Sequence, residues 1–178
     1  DPLELAGQRA EEQMAYYLRR AFVSDASVVV LNDVRLVLPP ELAAAEGDAV
    51  QIDHLVIHRH GMVIIESKSV TSRVTIDDYG HWTRLWNGSE HGMPSPIQHA
   101  KRQADSLREL LRANATSLRD RKLLGLVQGG FKYCPIDVIV AISDKGVIQS
   151  AGKKPPEVLK ADMVTDEIRR IRDHLVKA

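Results

Sequence analysis

Three residues with chemistry to offer fall in one short stretch. Residues 51–69 read Gln-Ile-Asp-His-Leu-Val-Ile-His-Arg-His-Gly-Met-Val-Ile-Ile-Glu-Ser-Lys-Ser. Two apolar runs meet at a turn containing Gly61; the first carries Asp53 and the second carries Glu66 and Lys68. Strand side chains alternate faces, so Glu66 and Lys68 point the same way. Two carboxylates and an ammonium on one sheet face suit a divalent cation and a phosphodiester. Ile52, Leu55, Val56, Ile57, Val63, Ile64 and Ile65 give the nearly continuous apolar pattern of strands buried on both faces. Acids and lysines are almost never fully buried unless paired, so charges inside such runs mark a site more readily than a solvated hairpin.

Register decides whether the three side chains meet. If Ile57 faces Met62, with His58–Gly61 as the loop, Asp53 faces Glu66 with Cβ atoms roughly 4.5–5.5 Å apart. Like charges so placed destabilise unless something positive sits between them, as a metal ion would. If instead Arg59–Gly61 form a three-residue loop, Asp53 faces Ser67 and drops to the other side of the sheet. The site requires the first register, or a bulge that restores it.

The elements that must position these residues follow from periodicity. Residues 3–22 read as a helix, with Ala6, Ala10, Met14, Tyr17 or Leu18, and Ala21 at helical spacing. Residues 27–38 are β-prone and end at Pro39-Pro40, and 41–49 form a loop or a short helical turn. After the hairpin, 70–76 and 81–86 read as strands, Asn87-Gly88 as a turn and 89–94 as loop. A helix is predicted from Pro96 to about Ala113, with Ser95 as N-cap and Ile97, Ala100, Ala104, Leu107 and Leu111 as its core face. A short helix over 117–127, a buried strand over Ile136–Ile142 and a terminal helix over 165–176 capped by Thr165 complete the chain. The order predicts a single α/β domain, a mixed sheet with helices packed around it.

At 178 residues the chain is long enough for a substantial core. Its single cysteine, Cys134, rules out an intramolecular disulfide and a cysteine metal cluster, and reads as a small core residue. No run approaches the roughly 20 apolar residues a membrane span needs, and no signal peptide is visible, so a cytoplasmic protein with no membrane partner is expected. The chain starts at Asp1 rather than Met, which fits a piece of something longer. The net charge of zero hides an asymmetry: 11 acids against 5 bases in residues 1–66, and 13 acids against 19 bases afterwards. A basic half beside a carboxylate site would suit a polyanion, although scattered solvated charges would look the same.

Supporting residues can be proposed from position. Glu11 lies about 20° from Leu18 around the first helix, on its apolar stripe, where a carboxylate needs a partner such as a metal site. Gly7, one turn earlier, would leave room for close approach. Gln98 reads two ways: it closes a capping box with Ser95, or its amide orients a water or Lys68. Lys101 and Arg102, one turn on, are candidate phosphate contacts at a helix start, or part of a solvated face. Trp82 and Trp86 share a strand face and read more readily as core than as base-stacking platforms. The histidines show no spacing that suggests a metal site, and no catalytic histidine is assigned.

Together these residues resemble a known family. Gly7-x-x-x-Glu11 followed by Ala15 and Leu18, the run Ile52-Asp53-His54-Leu55-Val56, then Gly61 and Val63-Ile64-Ile65-Glu66-Ser67-Lys68, and finally Trp82 with Pro94-Ser95-Pro96-Ile97-Gln98, are similar to the nuclease-related domain family. The resemblance spans residues 7 to about 112. It departs in Ala10, where a second glycine is common, and in Ile52, where proline does not precede the aspartate; neither change removes chemistry. The family belongs to the PD-(D/E)XK superfamily. The resemblance therefore implies a restriction-endonuclease-like α/β core over about 5–142, with a central mixed β-sheet flanked by helices. It implies hydrolysis of nucleic-acid phosphodiester bonds, most readily of DNA, with Mg²⁺ or Mn²⁺. Carried over, Asp53 and Glu66 are metal ligands, Lys68 is the catalytic lysine, and Glu11 and Gln98 complete the site. Two other functions fit the same residues: an inactive nucleic-acid-binding or assembly module, and an enzyme acting on a small phosphoester. A homodimer, and fusion to further domains, are compatible with all three.

Overall fold

The computed structural model describes residues 2–41, 49–118, 121–122, 127–128 and 130–175. Helix α1 (Pro2–Phe22) buries Ala10, Met14, Leu18 and Phe22, an apolar stripe at four-residue intervals. Strand β1 (Val28–Val37) follows, then the hairpin β2 (Ala49–His58) and β3 (Gly61–Lys68). Three short strands come next: β4 (Arg73–Ile76), β5 (Trp82–Trp86) and β6 (Ser89–Met93). After them stand α2 (Pro96–Ala113) and the single turn α3 (Ala115–Leu118). Beyond these lie β7 (Arg121–Lys122), β8 (Val127–Gln128), β9 (Ile136–Ile142), β10 (Val147–Ser150) and β11 (Val158–Lys160). A 3₁₀ turn (Ala161–Met163) leads into α4 (Val164–Leu175).

The central sheet runs β1-β2-β3-β9-β11, antiparallel through β3 and parallel from β3 to β11. It is the mixed sheet flanked by helices that the sequence predicts. On one face α1 and α4 bury Met14, Leu18, Val164 and Ile168 against Val56, Val63, Ile65 and Ile139. On the other, Ala100, Ala104 and Leu107 of α2 pack on Ile52, Leu55 and Ile64. A second sheet, β10-β4-β5-β6, is joined to the first through Val74, Ile76, Trp82 and Ile97 packed on Val140, Ile142 and Val158. Trp82 belongs to this core, as expected, whereas Trp86 is only partly buried.

Several expectations change. Residues 89–93 are strand β6, because Asn87 (φ 48) and Gly88 (φ 76) make a two-residue turn that folds them back on β5. The helix expected over 117–127 is replaced, in its described parts, by the end of α3 and by β7 paired with β8; the rest lies outside the described residues. So does most of the loop expected over 41–49, residues 42–48. Thr165 lies inside α4, since the 3₁₀ turn carries the helix start back to Val164. Cys134 is half-buried in the turn before β9. Among the described residues no helix is long and apolar enough to cross a membrane.

Candidate active site

The hairpin adopts the first register: Ile57 pairs with Met62, His58 with Gly61 and His54 with Ile65, leaving Arg59 and His60 at the tip. Gly61 is required there, because a Cβ would sit 2.7 Å from the Pro135 carbonyl oxygen. Pairing between β2 and β3 ends at His54 and Ile65, one step before Asp53 and Glu66. Beyond that point β3 continues on β9 as far as Lys68 with Ile142, and β2 continues on β1 from Ile52 with Val34.

The strands part because alternation slips at Asp53. Downstream, Leu55 and Ile57 face α2; upstream, Val50 and Ile52 do. On β1 the same change brings Val34 and Leu36 to the α2 side, while Val28 and Val30 face α1. Between them Asp33, the residue that would pair with Asp53, has φ 51, a left-handed conformation that Asp adopts more readily than most residues. Asp53 therefore lies at a gap in the sheet with Glu66 on the far side. Its Oδ2 accepts the Ser67 N–H at 2.8 Å.

Glu66 is 3% exposed and carries three contacts. Its Oε1 receives Lys68 Nζ at 2.5 Å. Its Oε2 receives Gln103 Nε2 at 3.1 Å and lies 3.8 Å from His99 Nε2. Gln103, itself buried, also donates to the Gln51 carbonyl at 2.7 Å, and its Oε1 is buried with no hydrogen-bond partner. Behind this layer His54, 1% exposed, bridges Asn32 Oδ1 (2.8 Å) and Ser67 Oγ (3.1 Å). Burial lowers its pKa to about 4, so the ring is neutral.

Burial, reinforced by Glu66 and Glu11, raises the Asp53 carboxyl to about 7, against the Ser67 N–H and Lys68, which favour its ionised form. Glu11 is also raised, first by burial and then by Asp33, with Lys68 opposing and Glu66 adding. Burial is the larger cause for both, and the neighbouring carboxyls add to it; a cation between them would oppose both effects. Two grooves meet here along α2. One, of about 560 Å³, is lined by Glu11, Gln51, Asp53, His99, Arg102 and Gln103. The other, of about 470 Å³, is lined by Glu66, Lys68, Arg84, Met93, His99 and Arg102.

Thus Glu11, Asp53, Glu66, Lys68 and Arg102 surround one cleft. Glu11 reaches it from the α1 layer where β2 and β3 separate. Gly7 is not needed for that approach, since a Cβ there would meet nothing within 4 Å. Two expected residues do not join. Gln98 is exposed; its backbone N–H is capped by Ser95 Oγ at 3.3 Å, and the amide that reaches Glu66 belongs to Gln103. Lys101 is turned to Glu157, at 3.1 Å. The reason is helical phase: Gln103 shares the buried face of Ala100, Ala104 and Leu107, and Gln98 and Lys101 do not. A glutamine in an apolar stripe was the available signal, the same one that singled out Glu11. His99 and Arg84 had no comparable signal.

The donors fit a hard divalent cation. They are oxygens, two of them carboxylates across a gap, and Gln103 Oε1 is an orphaned oxygen beside Glu66. Among the described residues no group of three or more His, Cys, Asp or Glu side chains is gathered as a metal cage, so the fit rests on Asp53 and Glu66. The model of one protein family, described as the nuclease-related domain, matches residues 6–143, well over half of the chain. No curated protein and no solved structure matches it.

Proposed function

Because the chain belongs to the nuclease-related domain family, we propose that it is a metal-dependent nuclease that hydrolyses phosphodiester bonds in nucleic acid, most readily DNA, at the cleft between β2, β3 and α2. The observation that carries this reading is the pair Asp53 and Glu66 facing a gap in the sheet, with Lys68 on Glu66. Asp53 and Glu66 would hold Mg²⁺ or Mn²⁺, with Glu11 further out along the same groove. A cation held there supplies neutralising charge at the scissile phosphate and a more acidic attacking water.

The side chains divide the remaining work. Lys68 presents a positive charge to the phosphate and stabilises the charge that develops on its oxygens. Glu66 holds that ammonium in place. Gln103 anchors Glu66 to the Gln51 backbone, fixing the carboxylate across the gap from Asp53. The Ser67 amide orients Asp53, and the Asn32–His54–Ser67 chain holds the strand that carries it. Arg102, on both grooves, meets the phosphate backbone.

Plasmid and single-stranded DNA incubated with Mg²⁺ or Mn²⁺, with and without chelator, test the reading. Cleavage that survives chelation, or that Lys68→Ala leaves intact, overturns it. Salt-sensitive DNA binding that ignores both chelator and Glu66→Ala would indicate a binding module instead. The two glutamines provide an internal contrast. Gln103→Ala is expected to lower kcat/KM about 10–100-fold, the usual cost of losing a partner that orients a metal ligand. Gln98→Ala is expected to cost less than about threefold, as an exposed residue away from the cluster. Equal losses would contradict the assignment of Gln103.

A further inference from the structure

The cleft is electrically lopsided. Its first groove carries Glu11 and Asp53 with one cation, Arg102, and its second carries Lys68, Arg84 and the same Arg102 with one carboxylate, Glu66. Arg84 comes from neither layer of the central sheet. It projects from β5, on the same strand face as Trp82 and Trp86. Trp82 anchors that face in the core joining the two sheets. The Arg84 guanidinium lies 5.8 Å from the centre of the Trp86 ring, which limits its freedom without neutralising it. His91 of β6 pairs with it across the ladder and is exposed.

Pairing sets Arg84 apart from its neighbours. Arg73, on the adjoining strand, is tied to Glu90 at 3.1 Å. Lys101 is tied to Glu157, Arg108 to Asp105 and Arg112 to Glu109. Among the described residues, Arg84 and Arg102 have no carboxylate partner, and both face the cleft. Two unneutralised guanidiniums beside a carboxylate-and-lysine cluster suit phosphates that flank the one at the centre. A small phosphoester has no such neighbours.

On the basis of the nuclease reading, we infer that the substrate is a polynucleotide strand running from the α2 groove onto the small sheet, and that Arg84 is a binding residue for a phosphate next to the scissile one. The small sheet is then the second wall of the substrate track, and Trp86 the support that holds Arg84 toward it. The site favours a polymer over a mononucleotide because part of its binding set lies away from the reacting phosphate.

Wild type, Arg84→Ala and Arg84→Lys are compared on a labelled oligonucleotide and on bis(4-nitrophenyl) phosphate, each with Mn²⁺ across a salt series. Arg84→Ala should raise KM for the oligonucleotide about 10-fold with a smaller change in kcat. It should lower the preference for oligonucleotide over small diester by a similar factor. It should also reduce the slope of log(kcat/KM) against log[salt] by about one, as loss of one phosphate contact does. Arg84→Lys should recover the slope. An unchanged KM and slope in Arg84→Ala, or equal losses on both substrates, overturns the inference while leaving the nuclease reading intact. If wild type hydrolyses neither substrate, the nuclease reading fails. Anisotropy of the oligonucleotide then decides the track: weaker binding by Arg84→Ala, about 10-fold, supports it, and unchanged binding overturns it.

Discussion

Asp53→Asn is expected to abolish metal-dependent cleavage and, at the same time, to stabilise the metal-free protein. The two effects have one origin. The substitution removes a ligand charge while keeping an oxygen that can accept the Ser67 N–H. Loss of activity should reach about 10³-fold or more, about 4 kcal/mol of transition-state stabilisation. Stability moves the other way because the wild-type carboxyl is raised from its ordinary 3.8 to about 7, by burial first and by Glu66 second. A carboxyl raised in the folded state favours folding while protonated. That contribution is present below pH 3.8 and disappears as pH rises through about 7. Without metal at pH 8, wild type therefore carries a buried charge that Asn lacks, and Asp53→Asn should be more stable by about 2 kcal/mol. The gap should close toward pH 4. Urea unfolding of both proteins with chelator at pH 5 and 8 measures it, and Mn²⁺ at pH 8 should raise the midpoint of wild type much more than that of the variant. A variant less stable than wild type at pH 8 would mean that Asp53 is a structural partner rather than a poised ligand.

Gly146→Ala should unfold the protein more readily by about 2–4 kcal/mol. A Cβ at this position would lie 2.6 Å from the Val70 carbonyl oxygen, 2.8 Å from Val70 Cβ and 2.9 Å from Ile142 Cγ2. None of these atoms can move away cheaply, because the turn is tied on every side. Ser143 N–H donates to the Lys68 carbonyl, and Ser143 Oγ bonds both the Val70 N–H and its carbonyl. Lys160 Nζ donates to the carbonyls of Ser143, Asp144 and Gly146. The turn thus fixes the end of β3 from which Lys68 projects, so activity should fall with stability. Gly7→Ala is the control of opposite sign. Its Cβ meets open space inside a helix, where alanine is better than glycine by up to about 1 kcal/mol. Chemical denaturation of both variants checks the pair, and a neutral Gly146→Ala would mean that the turn gives way.

Local chemistry makes much of the molecule legible in its sequence. The hairpin, legible as a hairpin, leaves two registers open and closes on a two-residue tip that neither loop reading has. The stripe Ala10-Met14-Leu18 on α1 and the Ser95-Pro96 start of α2, by contrast, follow from short-range rules, and each stands where those rules put it. So does the pairing of Glu66 with Lys68, because residues two apart on a strand share a face whatever the strand packs against. What local rules could not supply was phase across long separations. Whether Gln98 or Gln103 meets Glu66 depends on how α2 is rotated on the sheet, and its apolar face sets that rotation. Where Asp53 lies depends on the joint slip of β1 and β2 at Asp33 and Asp53, which a period of two cannot encode. Arg84 enters the cleft only because Trp82 locks a second sheet against the first. Residue types and near spacings specified the reacting groups; packing between elements distant in the chain chose which polar neighbours reach them, since burial acts on whole faces and not on single positions.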